Sequence, residues 1–151
     1  MKQGFVKVAS ATPRIRVADP VYNAQVICEQ AKEAAEHGAK IVVFPELCIT
    51  GYTCNDLFLQ ELLLEKAKEA LLTIAEETGQ LETLFLVGLP VDKDGRLYNV
   101  AAVLYRGRIL GMIPKKNIPM YAEFYEGRHF TPGEETVTEY RLGKQVIPFG
   151  S

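Results

Sequence analysis

Three short stretches of this chain combine residue types that could carry acid–base or oxyanion chemistry. In Phe44-Pro45-Glu46-Leu47 a carboxylate follows directly on an apolar run. If that run is a strand, Glu46 lies at its carboxyl end, where open α/β sheets collect their sites. Partial desolvation there disfavours the charged form and suits Glu46 to act as a general base; an ordinary loop glutamate at a strand end has the same spacing. Pro114-Lys115-Lys116-Asn117-Ile118-Pro119 also follows an apolar run. A lysine fixed beside a carboxylate can stabilise the oxyanion of a tetrahedral intermediate, and a solvated basic pair is the other reading. Acidic residues follow at once, which argues against a phosphate or nucleic-acid patch. The third stretch, Tyr121 to Gly133, is dense in aromatic and charged side chains. It reads either as a binding loop or as a packed irregular loop with Arg128 paired to a carboxylate.

The elements that must position these residues follow from periodicity and breakers. Phe5 to Ala11 reads as a strand stopped by Pro13. Asp19-Pro20 starts a helix with an aspartate cap and proline in the first turn, with Ala24, Ile27, Cys28, Ala31 and Ala35 on one face. His37 and Gly38 end it. Ala39 to Phe44 is a short strand buried on both faces. A loop carries Glu46 and Gly51 to a second helix, from near Asn55 or Asp56 to about Thr78, with Leu63, Ala67, Ala70, Leu71 and Ile74 inward. Leu84 to Val91 and Leu97 to Tyr105 read as an antiparallel pair joined at Asp92–Gly95. Arg106-Gly107 turns into a strand from Arg108 to Ile113, and Thr136 to Phe149 reads as two short strands around Gly143. The order β-α-β-α-β-β-β is a mixed α/β domain with two helices on one face of a sheet. The opposite face is left without a cover.

Composition narrows the classes. A chain of 151 residues, 48% hydrophobic and 24% charged, can form one domain with a core. A net charge of −2 gives no electrostatic case for nucleic acid, and no apolar run approaches the about 20 residues that cross a bilayer. Met1 to Val6 leads into a strand-like run without a signal-peptide core. Cys28, Cys48 and Cys54 make an odd count without framework spacing, which points to a reducing, cytoplasmic setting. His37 and His129 are not at metal spacing with them. Asp92, Asp94 and Gly95 are a turn, since the full calcium ligand series is missing.

Together these stretches resemble the nitrilase, or carbon-nitrogen hydrolase, superfamily, which uses a Glu-Lys-Cys triad. Phe44 to Phe58 is similar to its glutamate segment and Ile113 to Gly133 to its lysine segment. The resemblance implies Glu46 as general base, Lys115 as oxyanion stabiliser and Glu126 as a second, supporting glutamate. Gly51-Tyr52-Thr53, Asp56-Leu57 and Pro119 to Glu126 resemble one branch, the glutaminase domain of glutamine-dependent NAD synthetases. In that branch Tyr121 would help bind glutamine and Tyr52 would line or support the pocket.

The fold implied is an αββα sandwich, here a partial layer of mixed sheet with two helices. The function implied is hydrolysis of glutamine to glutamate and ammonia, spent on ATP-dependent amidation of nicotinate adenine dinucleotide to NAD. No metal and no cofactor are implied in this domain; ATP and magnesium belong to a synthetase domain that these residues do not include. The family nucleophile is a cysteine beyond the lysine segment, and no cysteine follows Glu126. Residues 1–151 are therefore expected to be an N-terminal fragment of the glutaminase domain, inactive alone. A stand-alone nitrilase-type amidase is the nearest alternative. A non-catalytic module that self-associates through the uncovered sheet face is an alternative of another class.

Overall fold

Proline and aspartate open the first helix as the sequence implies. The Asp19 carboxylate accepts the Tyr22 N–H at 3.1 Å, and α1 runs Pro20–Glu36. The computed structural model describes residues 4–151; Met1–Gln3, where the reading of the N-terminus begins, lie outside the described residues. Ala24, Ile27, Cys28 and Ala31 are buried on α1, while Ala35 is only half-buried.

The second helix starts later than its periodicity suggests. Asn55–Leu59 forms a separate 3₁₀ turn, Gln60 is extended (φ −85°, ψ 122°), and α2 is Glu61–Glu77. Phe58 is the reason: it drops into a separate buried cluster with Leu47, Leu97 and Phe130, which Leu63 and Leu64 at the start of α2 also join. The stripe itself, Leu63, Ala67, Ala70, Leu71 and Ile74, is buried as expected.

The strands are β1 (Val8–Ser10), β2 (Ile41–Val43), β3 (Leu84–Lys93), β4 (Arg96–Tyr105), β5 (Arg108–Pro114), β6 (Thr138–Leu142) and β7 (Gln145–Phe149). The described residues form one seven-stranded sheet in the order β1-β2-β3-β4-β5-β7-β6. β1 is shorter than the Phe5–Ala11 run, because it is an edge strand paired only with the three residues of β2; Phe5 is 79% exposed. The turns at Asp94-Gly95 and Arg106-Gly107 have positive φ at both residues, the hairpin geometry that matches strand twist.

Period-2 alternation sorts the sheet faces. Phe85, Val87, Leu89 and Val91 of β3, with Tyr98, Val100, Ala102 and Leu104 of β4, form the main core with α1 and α2. The other face carries no helix among the described residues, and Val43 (45%), Ile113 (44%) and Val146 (54%) stay exposed there. No described helix is long and apolar enough to cross a membrane.

Candidate active site

Strand directions bring the candidate residues to one end of the sheet. β2 and β3 are parallel, β4 is antiparallel to both its neighbours, and β5 therefore runs with β2. The carboxyl ends of β2 and β5 and the start of β4 meet at the same edge, where α/β sheets place their chemistry. Glu46 follows β2, Lys115 follows β5, and Asn99 lies near the start of β4.

The loop after β2 is bent sharply onto β3. Leu47 adopts φ +53°, a left-handed conformation that a buried leucine holds only when its surroundings impose it. Ile49 N–H donates to the Gly88 carbonyl at 3.1 Å, and the turn continues through Gly51 N–H to the Leu47 carbonyl at 2.7 Å. Gly88 makes this approach possible: a Cβ there would meet the Pro45 carbonyl oxygen at 2.8 Å. Asn23, fully buried on α1, donates to the Ile49 carbonyl at 2.9 Å and anchors the same loop from the helix side.

The loop after β5 returns to the sheet. Gly133 N–H donates to the Lys115 carbonyl at 2.9 Å and Thr131 N–H to Leu97 at 2.7 Å. This closure delivers the short 3₁₀ turn Glu126–Arg128 to the site. Beneath both loops lies a second apolar cluster of Leu47, Cys54, Phe58, Leu63, Leu64, Leu97 and Phe130. Phe58 and Phe130 meet edge to face, with centroids 5.0 Å apart.

On this platform the charges converge. Lys115 Nζ donates to Glu46 Oε1 at 2.7 Å and to Glu126 Oε1 and Oε2 at 3.1 Å each. Burial opposes the lysine charge, but the hydrogen bonds to Glu46 and Glu126 outweigh it and hold the ammonium above its ordinary range. Glu126 is nearly enclosed, its side chain 6% exposed, whereas Glu46 is 42% exposed. The Tyr52 hydroxyl donates to Glu126 Oε1 at 2.7 Å; desolvation first, and that hydrogen bond second, push the phenol well up. Asn99, 4% exposed, donates from Nδ2 to Glu46 Oε1 at 2.5 Å.

Glu46, Lys115 and Asn99 border an apolar groove of about 400 Å³ on the open sheet face. Tyr52 and Glu126 border a cleft of about 390 Å³ with Asp56 and His129. The Lys115 bridge stands between the two. Such a set holds a partly exposed carboxylate and a permanent cation side by side, ready for proton abstraction and anion stabilisation.

Of the residues singled out from sequence, Glu46, Lys115, Glu126 and Tyr52 come together. Tyr121 does not join them: it is 69% exposed and packs edge to face on Phe124. In the 121–133 loop Glu126 forms an ion pair with Lys115, and the His129 ring hydrogen-bonds to Asp56 at 3.0 Å. Cys28, Cys48 and Cys54 are free and buried. Burial raises the Cys28 and Cys48 thiols to about 11 and also raises Cys54, so none is poised as a thiolate. Among the described residues no group of three or more His, Cys, Asp or Glu side chains could hold a metal ion. Sequence reasoning missed Asn99, Gly88 and Asn23. The available signal was a lone asparagine inside an otherwise apolar strand, where asparagine is depleted.

The chain belongs to the carbon-nitrogen hydrolase family, whose model matches residues 7–148. Among its relatives, the glutamine-dependent NAD(+) synthetase of Mycobacterium bovis is 38% identical over 150 residues, 99% of this chain and 22% of that protein. The Thermotoga maritima protein of the same name is 36% identical over 135 residues, 89% of this chain and 23% of that protein. The crystal structure of a glutamine-dependent NAD(+) synthetase from Cytophaga hutchinsonii superimposes with a TM-score of 0.90 at 29% identity, covering 96% of this chain and 25% of that one. The chain thus spans under a quarter of the Mycobacterium and Thermotoga relatives it matches, and the match lies in their N-terminal, nitrilase-like part. The NitN amidase from Neterenkonia sp. AN1 shares the fold, with a TM-score of 0.71 at 23% identity over 95% of this chain and 56% of that one.

Proposed function

We propose that these residues supply the acid–base and oxyanion half of a glutamine amidohydrolase site that serves NAD synthesis. The observation that carries this reading is the Lys115 ammonium bridging Glu46 at 2.7 Å and Glu126 at 3.1 Å at the carboxyl end of the sheet. Glutamine as substrate, and NAD as the product it serves, rest on the names of the relatives.

In this reading Glu46 takes the proton of a cysteine thiol, and the thiolate attacks the side-chain amide carbon of glutamine. That cysteine is none of Cys28, Cys48 and Cys54, all buried and protonated at neutral pH. Lys115, with a backbone N–H, holds the oxyanion. Glu46 returns its proton to the departing nitrogen, ammonia leaves, and water hydrolyses the thioester to glutamate. Glu126 keeps Lys115 charged and oriented. Tyr52 supports the cleft through Glu126, and Tyr121 contacts the glutamine from its exposed loop. Ammonia then feeds ATP-dependent amidation of nicotinate adenine dinucleotide in a synthetase part, to which ATP and magnesium belong. The setting is cytoplasmic, and copies associate through the open apolar face of the sheet.

The test is ammonia release from glutamine, with circular dichroism on the same sample. The folded chain alone is expected to be inert, and a polypeptide carrying it through the family's nucleophile strand to be active and to lose activity on Glu46→Ala. An inactive longer polypeptide overturns the function. Turnover by the chain alone, abolished by Glu46→Ala, overturns the assignment of the nucleophile.

A further inference from the structure

Glu46 has one oxygen held twice and one left free. Its Oε1 accepts Asn99 Nδ2 at 2.5 Å and Lys115 Nζ at 2.7 Å, and no described residue donates to Oε2. Which Asn99 atom faces Glu46 follows from chemistry, since an ionised carboxylate only accepts. The two donors are not equivalent. Lys115 is shared with Glu126, sits on a flexible stem and is 30% exposed. The Lys115–Glu46 pair, with Glu46 itself 42% exposed, does little on its own to fix the Glu46 side chain. Asn99 is short, 4% exposed and held within the β ladder opposite Pro90 of β3. Its own backbone carbonyl accepts the Lys115 N–H at 2.7 Å. One residue therefore ties the Glu46 side chain and the Lys115 backbone to the same point of the sheet.

We propose that Asn99 is the positioning residue of the acid–base pair: it clamps Glu46 Oε1 so that Oε2 alone is presented to the groove as the proton acceptor. The proposal rests on the glutaminase reading for its catalytic meaning, and on geometry alone for the clamp. The proton balance is simple. The thiol S–H bond breaks, an O–H bond forms at Oε2, and the same proton later leaves with ammonia. A neutral amide donor serves both stages, because it can hydrogen-bond Oε1 whether the carboxyl group is charged or neutral. A second ammonium there would favour the charged form and hinder proton uptake.

The clamp is tested by NMR on the chain as it is. One Asn99 side-chain N–H is expected to resonate downfield and exchange slowly, and to lose both features in Glu46→Ala while the methyl fingerprint of the core is kept. An Asn99 amide signal indifferent to Glu46→Ala overturns the proposal. The functional arm uses the glutamine-hydrolysing polypeptide that contains these residues. Asn99→Leu, similar in shape and without donors, is expected to lower kcat roughly 100-fold with KM nearly unchanged, as for a small misplacement of a reacting group. Unchanged kcat overturns the proposal. If Asn99→Leu fails to fold, the Glu46→Ala amide signature decides, since it leaves Asn99 in place. A parent polypeptide without glutaminase activity sinks the functional reading, and the amide signature still decides the clamp.

Discussion

Ile27, Leu71 and Ile74 of the helices meet Val87, Leu89 and Ala102 of the sheet in the main core, whereas Leu47, Phe58, Leu97 and Phe130 meet in a smaller cluster beneath Glu46 and Glu126. The first region draws its residues from long elements at regular spacing, and its strands carry a continuous antiparallel ladder from β3 to β4 that runs on into β5 with one register shift at Val103/Leu104. The second combines loop residues with the start of α2 and of β4, and two of its loop members stand next to site residues or charges: Leu47 follows Glu46, and Phe130 follows His129. The main core supplies stability, and the satellite cluster converts that stability into the placement of charges. Loops tend to open at lower free energy than core strands, so the two regions should respond differently to the same kind of damage.

The largest effects should come from truncation in the two clusters. Phe85→Ala removes a ring 1% exposed in the main core and should cost about 3–5 kcal/mol, with every probe of urea unfolding moving together. Phe130→Ala should cost about 3 kcal/mol and first strip hydrogen-exchange protection from residues 46–51 and 115–133. Equal loss of protection across β3 and β4 would mean the two clusters are one. Next comes Lys115→Ala, which leaves the enclosed Glu126 carboxylate without its cation. About 3 kcal/mol is expected in urea titrations, the range for breaking a pair with a buried member. Lys66→Ala, which removes an exposed pair with Glu69 on α2, should cost well under about 1 kcal/mol. Equal effects would remove the distinction between site and surface charges.

Gly88→Ala should cost about 1–3 kcal/mol through overpacking, and should move the amide resonances of Leu47 and Ile49 more than those of β4. A thiol-labelling measurement sharpens the comparison further. With Cys48 near 11, about one thiolate in 1,000 is present at pH 8. Iodoacetamide should leave all three cysteines unmodified in the folded chain and modify them in urea, as read by mass spectrometry. The smallest effect concerns Asp56, whose carboxyl is held below its ordinary value by its hydrogen bond to His129. A depressed carboxylate contributes above its ordinary range, and the contribution disappears as pH falls through the lowered value. The Asp56–His129 contact should therefore survive near neutrality and release in acid, seen as faster exchange at His129 and Phe130. Asp56→Asn should remove that acid dependence.

Much of the fold could be read directly. Both helices, the β3–β4 pair and the final hairpin were legible because their apolar residues repeat at 3.6 or 2 positions and their ends carry Asp19-Pro20, Gly38, Asp94-Gly95 and Gly143. The start of α2 was not. Phe58 serves the satellite cluster, so local periodicity ran past the break at Gln60. Glu46, Lys115 and Glu126 were legible through family resemblance, and Tyr52 with them. Tyr121 stands apart on an exposed loop.

What the sequence determined by itself was the set of elements, the inward stripe of each helix and the segments that carry charge. Those depend on spacing along the chain. The tertiary structure alone decided that Asn99, 53 positions from Glu46, would clamp one of its oxygens, and that Lys115, 69 positions away, would share it. It also decided that Gly88 would give way to the Glu46 loop. A hydrogen bond between distant residues depends on strand order, direction and register together, and no local pattern encodes those.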